Sequence, residues 1–182
     1  SIPLRTRLIA NITSLNRLGA LAPRLANLFM KGRVSSGIFK SLTGFAQQRS
    51  LPAISSRPFH RTVKKQLLRI NPVNENIIGQ VCLFIDEFTD YNDAHIGKQT
   101  VELLAQLGYQ IILIPHEISA RSFLSKGLLK QAKKIINSNI ILLKEKISES
   151  VPLIGIEPSA ILGFRDEYPD LCDSYLQDDA RK

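Results

Sequence analysis

The sequence predicts an α/β fold: a three-layer, Rossmann-like parallel sheet of βαβ units preceded by a basic helical linker. Two observations carry that expectation. From residue 78 onward, short apolar runs suited to buried strands alternate with amphipathic stretches of helical period. Before that point the charge pattern is of another kind. Residues 1–74 hold 13 Lys and Arg and no acid, whereas residues 75–182 hold the other 11 basic residues and all 16 acids, a net of −5. The expected division is a connector over 1–74 and an α/β domain over 75–182. The chain starts at Ser1 rather than Met and stops at Arg181-Lys182, so a fragment of a larger protein is expected.

In the connector, Leu4, Leu8, Ile9, Ile12 and Leu15 recur at helical spacing, and Leu18, Leu21, Leu25 and Leu28 continue the series. Arginines occupy the other face, and Pro23 is expected to interrupt the helix. A second short helix is expected over about residues 36–47. "RSLPAISSRPFHRTVKKQ", with Pro52 and Pro58, reads as extended linker. An Arg- and Ser-rich, acid-free stretch also suits an organellar transit peptide or a nucleic-acid arm. The linker whose apolar stripe docks on a neighbouring domain is preferred. Phe29, Phe39, Phe45 and Phe59 are not interleaved with the charges as stacking platforms would be.

The second half reads in order. "IIGQVCLFID" is a buried strand over about 80–86, and "DEFTDYNDAHIG" a solvated polar loop. "KQTVELLAQLGY" is a helix closed by Gly108. "YQIILIP" is a second strand and "HEISARSFLSKG" a second loop. "LLKQAKKIINSNIILLKEKI" is a long helix with Asn139 on or beside its apolar stripe. "VPLIGI" is a third strand, and "EPSAILGFRDEYPDL" opens a third helix with Pro158 at its first position.

Cys82 and Cys172 form no CxxC and no Cys/His cluster, which argues against a disulfide framework or a zinc site. Two unpaired thiols fit a reducing, cytoplasmic compartment, with peripheral contact at the inner membrane face as a variant. No apolar run approaches the roughly 18 residues of a membrane span.

In parallel sheets, ligands bind beyond the carboxyl ends of the strands. Segments 86–93, 116–125 and 157–160 converge there. The candidate crevice is therefore Asp86, His116, Ser119, Arg121, Ser125, Lys126, Glu157 and Ser159. Glu157 is placed either to cap the following helix or to pair with Arg121. Asp86, Glu87, Asp90, Asp93 and His95 invite a cation-site reading but lack EF-hand spacing, and helix-capping acids are the simpler account. His116 with nearby serines lacks a GxSxG elbow and an orienting acid, and "SKG" lacks a phosphate cradle. No residue is assigned a catalytic, cofactor-binding or metal-binding role.

The order "LFIDEFTDYND…LLAQLGYQIILIP…SARSFLSKGLLKQAKKI…PLIGIEPSAILGFRDEYPDL" resembles the CCG-type cysteine-rich domain of iron–sulfur oxidoreductases over about residues 80–172. It is most similar to the version fused behind a FAD-binding dehydrogenase and a ferredoxin-like module. Proteins of that kind resemble D-lactate dehydrogenase and the glycolate oxidase iron–sulfur subunit. "IPLRTRLIANITSLNRLGALAP" resembles the connector between those modules. The resemblance implies a parent oxidoreductase of 2-hydroxy acids with FAD and [4Fe–4S] clusters. Its partners would be the FAD-binding and ferredoxin-like domains of the same polypeptide, and an electron-acceptor protein or quinone. No nucleic-acid partner and no transmembrane segment are expected.

Where the family writes Cys-Cys-Gly before an arginine, this chain has Ile118-Ser119-Ala120 before Arg121; where it writes Glu-Pro-Ser-Cys, this chain has Glu157-Pro158-Ser159-Ala160. Iron–sulfur clusters need thiolate ligands. A module without a cluster of its own, in a structural, docking or electron-transfer-supporting role, is therefore expected. A small-anion binding module and a basic-arm nucleic-acid binder remain the alternatives.

Overall fold

The computed structural model describes residues 2–70 and 77–182. Its centre is a parallel sheet of β1 (Gly79–Phe84), β2 (Tyr109–Ile112) and β3 (Leu153–Gly155) in the order β2-β1-β3. Val81 pairs with Ile111 on one side of β1, and Leu83 with Ile154 on the other. The α/β expectation holds.

Side chains alternate across a strand, and both faces of β1 are covered. Val81 and Leu83 join one apolar core with Val101, Ala105 and Ile111. Phe84 points the other way, with its ring 5.0 Å from Phe164 and 4.2 Å from the His116 ring. That double burial is why "VCLF" is continuously apolar.

Helix α7 (Ala94–Gln106) follows β1 and packs on β2, and its end turns through Gly108 at φ 90°. Helix α9 (Leu129–Leu143) joins β2 to β3. A second core lies around it, formed by Ala132, Ile136, Ile140, Tyr168, Cys172 and Leu176. Three expectations for this half need correction. The "DEFTDYNDAHIG" segment is not a solvated loop: it forms α6 (Glu87–Tyr91), and Asp86, Glu87 and Asp90 are buried. The second loop contains a helical turn, α8 (Arg121–Leu124). The third helix breaks into α10 (Pro158–Asp166) and α11 (Tyr168–Leu171), and Cys172 is followed by a 3₁₀ turn (Ser174–Leu176) and α12 (Gln177–Arg181).

The basic half folds as α1 (Leu4–Ala10), α2 (Ile12–Gly19), α3 (Pro23–Lys31), α4 (Arg33–Thr43) and α5 (His60–Ile70). Pro23 opens α3 instead of interrupting a helix; its missing N–H costs nothing at a first-turn position. The second helix starts at Arg33 and ends at Thr43, where Gly44 adopts φ 72°. Part of the expected extended linker is helix α5. Phe59, Val63 and Leu67 recur every four residues and lie in the same core as Val81 and Val101. A Cβ added at Gly97 of α7 would stand 2.7 Å from the Phe59 ring, so glycine allows the close approach of α5. Asp90 fixes the start of α5: its Oδ1 accepts from His60 N at 2.8 Å, and Oδ2 lies 2.6 Å from His60 Nδ1. The earlier helices are tied to the same corner, with Asn16 Nδ2 donating to Asn92 Oδ1 at 2.8 Å and Asn92 Nδ2 to the Ala53 carbonyl at 2.9 Å. Their outer face is apolar and exposed: Leu18, Leu21, Leu25 and Leu28 are each about two-thirds exposed or more. Among the described residues no helix is long and apolar enough to cross a membrane.

Phe59 is fully buried. Phe59→Ala should lower stability by about 3–5 kcal/mol, the usual cost of emptying an aromatic core position. Urea denaturation of the whole chain measures this. A loss under about 1 kcal/mol would mean that α5 is not part of the core.

Candidate functional site

With β1 central and the chain passing from β2 across to β3, the topological switch lies between the carboxyl ends of β1 and β3. Glu87, Ser119, Arg121, Glu157 and Ser159 meet there. The Glu87 side chain is fully buried. It accepts from Ser119 N at 3.1 Å and Ser119 Oγ at 2.9 Å, and Arg121 Nε lies 3.6 Å away. Arg121 Nη1 pairs with Glu157 Oε1 at 2.8 Å and donates to Ser159 Oγ. Ser159 Oγ in turn donates to Glu157 Oε1 at 2.6 Å. The guanidinium stacks 4.2 Å from the centre of the Phe88 ring, a cation–π position. Hydrogen bonding from Ser159 and the charge of Arg121 hold the Glu157 carboxyl below its usual value. Glu157 pairs with Arg121 and makes no side-chain cap to α10, which decides between the two roles open to it.

The loop that presents Ser119 is held from below. Asn139, fully buried on α9, accepts from Glu117 N at 2.8 Å and donates to the Ile118 carbonyl at 2.9 Å and to Tyr168 Oη at 3.1 Å. Tyr168 Oη donates to the Ser119 carbonyl at 3.1 Å. Ala120 then adopts φ 62°. This is the left-handed region, where an L side chain costs about 1–2 kcal/mol and glycine does not. It is the only such non-glycine residue among those described.

The side chains of the other crevice candidates make no hydrogen bond to the Arg121 guanidinium, although Ser125 N donates to the Arg121 carbonyl at 2.9 Å. Asp86 caps α6, accepting from Phe88 N at 2.9 Å and Thr89 N at 3.1 Å. His116 Nε2 accepts from Ile85 N at 3.1 Å and its Nδ1 donates to the Glu117 carbonyl at 2.7 Å. That pattern requires neutral imidazole, and burial lowers its pKa. Ser125 Oγ donates to the Ser122 carbonyl at 3.1 Å, and Lys126 makes none of the cluster's contacts. Sequence reasoning missed three contributors. Glu87 looked like one loop acid among several, and Tyr168 carries no local signal. Asn139 was detectable as a polar residue on an apolar helical stripe.

The donors do not fit an iron–sulfur cluster. Ala160 offers a buried methyl, Ile118 a hydrocarbon, and the Ser119 hydroxyl is committed to Glu87. Burial pushes the Cys82 thiol up to about 11 and also raises Cys172, which disfavours thiolate at both. Among the described residues no group of three or more His, Cys, Asp or Glu is placed to hold a metal ion.

The chain is similar to D-2-hydroxyglutarate dehydrogenase of Escherichia coli (strain K12), 27% identical over 170 residues, covering 91% of this chain and 17% of that protein. The protein of the same name from Haemophilus influenzae is 26% identical over 179 residues, 92% of this chain and 17% of its own. One component of the anaerobic glycerol-3-phosphate dehydrogenase of Escherichia coli (strain K12) is 24% identical over 126 residues, 68% of this chain and 31% of that component. The chain is thus related, over most of its length, to segments of oxidoreductases, and it spans 17% of the length of the first of them. No family profile and no solved structure matches it.

Ala120→Gly should leave stability unchanged or raise it by up to about 1 kcal/mol, because relief at φ 62° outweighs the added chain entropy and the lost methyl. A loss above about 1 kcal/mol in urea unfolding would contradict the strain account. His116 predicts a pH effect. Its folded pKa lies below the ordinary 6.5, so the unfolded chain binds more protons below that value. Stability should be full above pH 6.5 and fall as pH drops below it toward the folded pKa. His116→Gln should flatten that segment of the stability–pH curve.

Proposed function

We propose that this chain is a degenerate CCG-type module of a longer FAD- and iron–sulfur-dependent oxidoreductase acting on 2-hydroxy acids, and that it supports the electron-transfer machinery without holding a cluster. Residues 1–74 act as the connector and 75–182 as the module, with the last connector helix built into the module's core. The observation that carries the reading is the meeting of two altered motifs at Arg121. The loop of Ile118-Ser119-Ala120 and the turn of Glu157-Pro158-Ser159-Ala160 are joined through one guanidinium. Ala120 holds the left-handed conformation that suits the glycine of Cys-Cys-Gly, although the side chain is alanine. A shape suited to thiolates thus persists around a hydroxyl bonded to Glu87 and a buried methyl. The similarity of 91% of the chain to a D-2-hydroxyglutarate dehydrogenase supports the substrate class.

The exposed face of Leu18, Leu21, Leu25 and Leu28 is where the module docks against the flavin and ferredoxin-like parts of its polypeptide. The small-anion alternative is weaker, because Arg121 already faces two carboxylates, Glu87 and Glu157. A nucleic-acid arm would turn cations and aromatics outward, whereas these helices also expose leucines.

Mixed with the remainder of a D-2-hydroxy-acid dehydrogenase of this architecture, the purified chain should form a one-to-one complex, read by light scattering after gel filtration. Replacing Leu21, Leu25 and Leu28 by lysine should abolish it while leaving the melting temperature of the isolated chain unchanged. Flavin reduction by the hydroxy acid should be the same with and without the chain. Stoichiometric iron and acid-labile sulfide in the isolated chain would overturn the proposal.

A further inference from the structure

Between the connector helices and the Arg121 cluster lies a cavity of about 780 Å³. Ile9, Ile12, Leu15, Phe39, Phe45 and Ile54 form much of its wall. Arg121, Ser122 and Ser125 of one helical turn, with Ser159 bonded to Arg121, form a contiguous polar end of the lining beside Phe88, and Asn16 lies among the connector residues. A volume of roughly 300–1,000 Å³ with an apolar body and a few convergent polar groups is the usual form of a small-molecule site.

The polar end has a definite electrostatic character. Arg121 contributes one positive charge and faces Glu87 and Glu157, so the group carries a formal net charge of −1. Glu87 cannot leave, because it is buried and bonded by Ser119. An anionic head would meet two carboxylates. Arg121 nevertheless keeps donors to spare. Its Nη1 serves Glu157 and Ser159, Nε faces Glu87, and its Nη2 has no hydrogen-bond acceptor among the described residues. A neutral acceptor can use those donors without opposing the carboxylates.

We infer that this cavity binds an amphiphile made of a hydrocarbon chain capped by a neutral carbonyl head, with the head at Arg121 and the chain among the connector helices. Acyl esters and alkylated quinones share that chemistry. The occupant is a small molecule rather than a protein segment, because a volume of about 780 Å³ lies within the usual range of small-molecule sites. The acyl-ester arm goes beyond the proposed function, whereas the quinone arm rests on it, since the resemblance already implies a quinone among the acceptors.

The chain contains no tryptophan, so Met30→Trp places a single indole in the cavity wall. Its emission, titrated below micelle-forming concentrations with methyl laurate, laurate and decyl-benzoquinone, reads the site. Saturable one-to-one binding of the ester or the quinone, about tenfold or more tighter than laurate, is expected. The ester responding alone assigns acyl esters, and the quinone alone assigns quinones. Non-saturating partition, or laurate binding as tightly as its ester, would overturn the inference. Arg121→Gln should weaken the neutral ligands by about tenfold, the effect of one hydrogen bond to a charged donor. Ile12→Arg should abolish binding. An upward shift of the melting temperature of the unsubstituted chain with the same neutral ligand provides a reading that no substitution can disturb, and its absence at saturation would also overturn the inference.

Discussion

The burial of Glu87 is the constraint around which the crevice is arranged. A carboxylate taken out of water needs hydrogen-bond donors and a compensating charge, or it costs several kcal/mol. Ser119 supplies two donors and Arg121 supplies the charge. Because both lie on the loop after β2, that loop must fold over α6. Asn139 and Tyr168 then satisfy its backbone, which leaves Ala120 to take the left-handed turn. Arg121, fixed by Glu87 and by the Phe88 ring, reaches Glu157 and Ser159 and so ties the end of β3 to the end of β1. One buried acid thus dictates the conformation of a loop 32 residues away.

The basic half is organised by a different balance. Its helices are short, and isolated helices of that length are marginal in water. They gain order from contact with α6 and α8 and from polar ties at Asn92 and Asp90. The contacts use only one side of α2 and α3. The other side remains a leucine surface beside a segment with no acids at all.

Legibility differed by the range of the interaction. The strands could be read because burial on both faces writes itself as a local apolar run, as in "VCLF". Pro158 at the start of α10 could be read for the same reason, since its effect is local. Helix α5 escaped notice because Phe59, Val63 and Leu67 are separated by basic residues and preceded by two prolines, and their partners lie beyond residue 80. In "DEFTDYND" the acids suggested water. Three of them are buried instead: Glu87 and Asp90 because distant residues, Ser119, Arg121 and His60, supply the donors, and Asp86 because it caps α6. Nothing local in the chain records that pairing. The convergence of the strand-end loops followed from topology, but which side chains would touch depended on Glu87.

The same carboxylate closes a route in sequence space. A cysteine at position 119 would bring its sulfur to the place where Ser119 Oγ now donates to Glu87. A thiolate there would stand against a buried negative charge, which raises a thiol's pKa and disfavours metal binding. Placing a ligating residue at 119 is therefore not a single neutral step. Glu87 would have to change first, and that change would leave Arg121 without its buried partner and the Ser119 loop without its anchor. The wiring that keeps the loop in shape also keeps a thiolate out of position 119, a latch set by electrostatics.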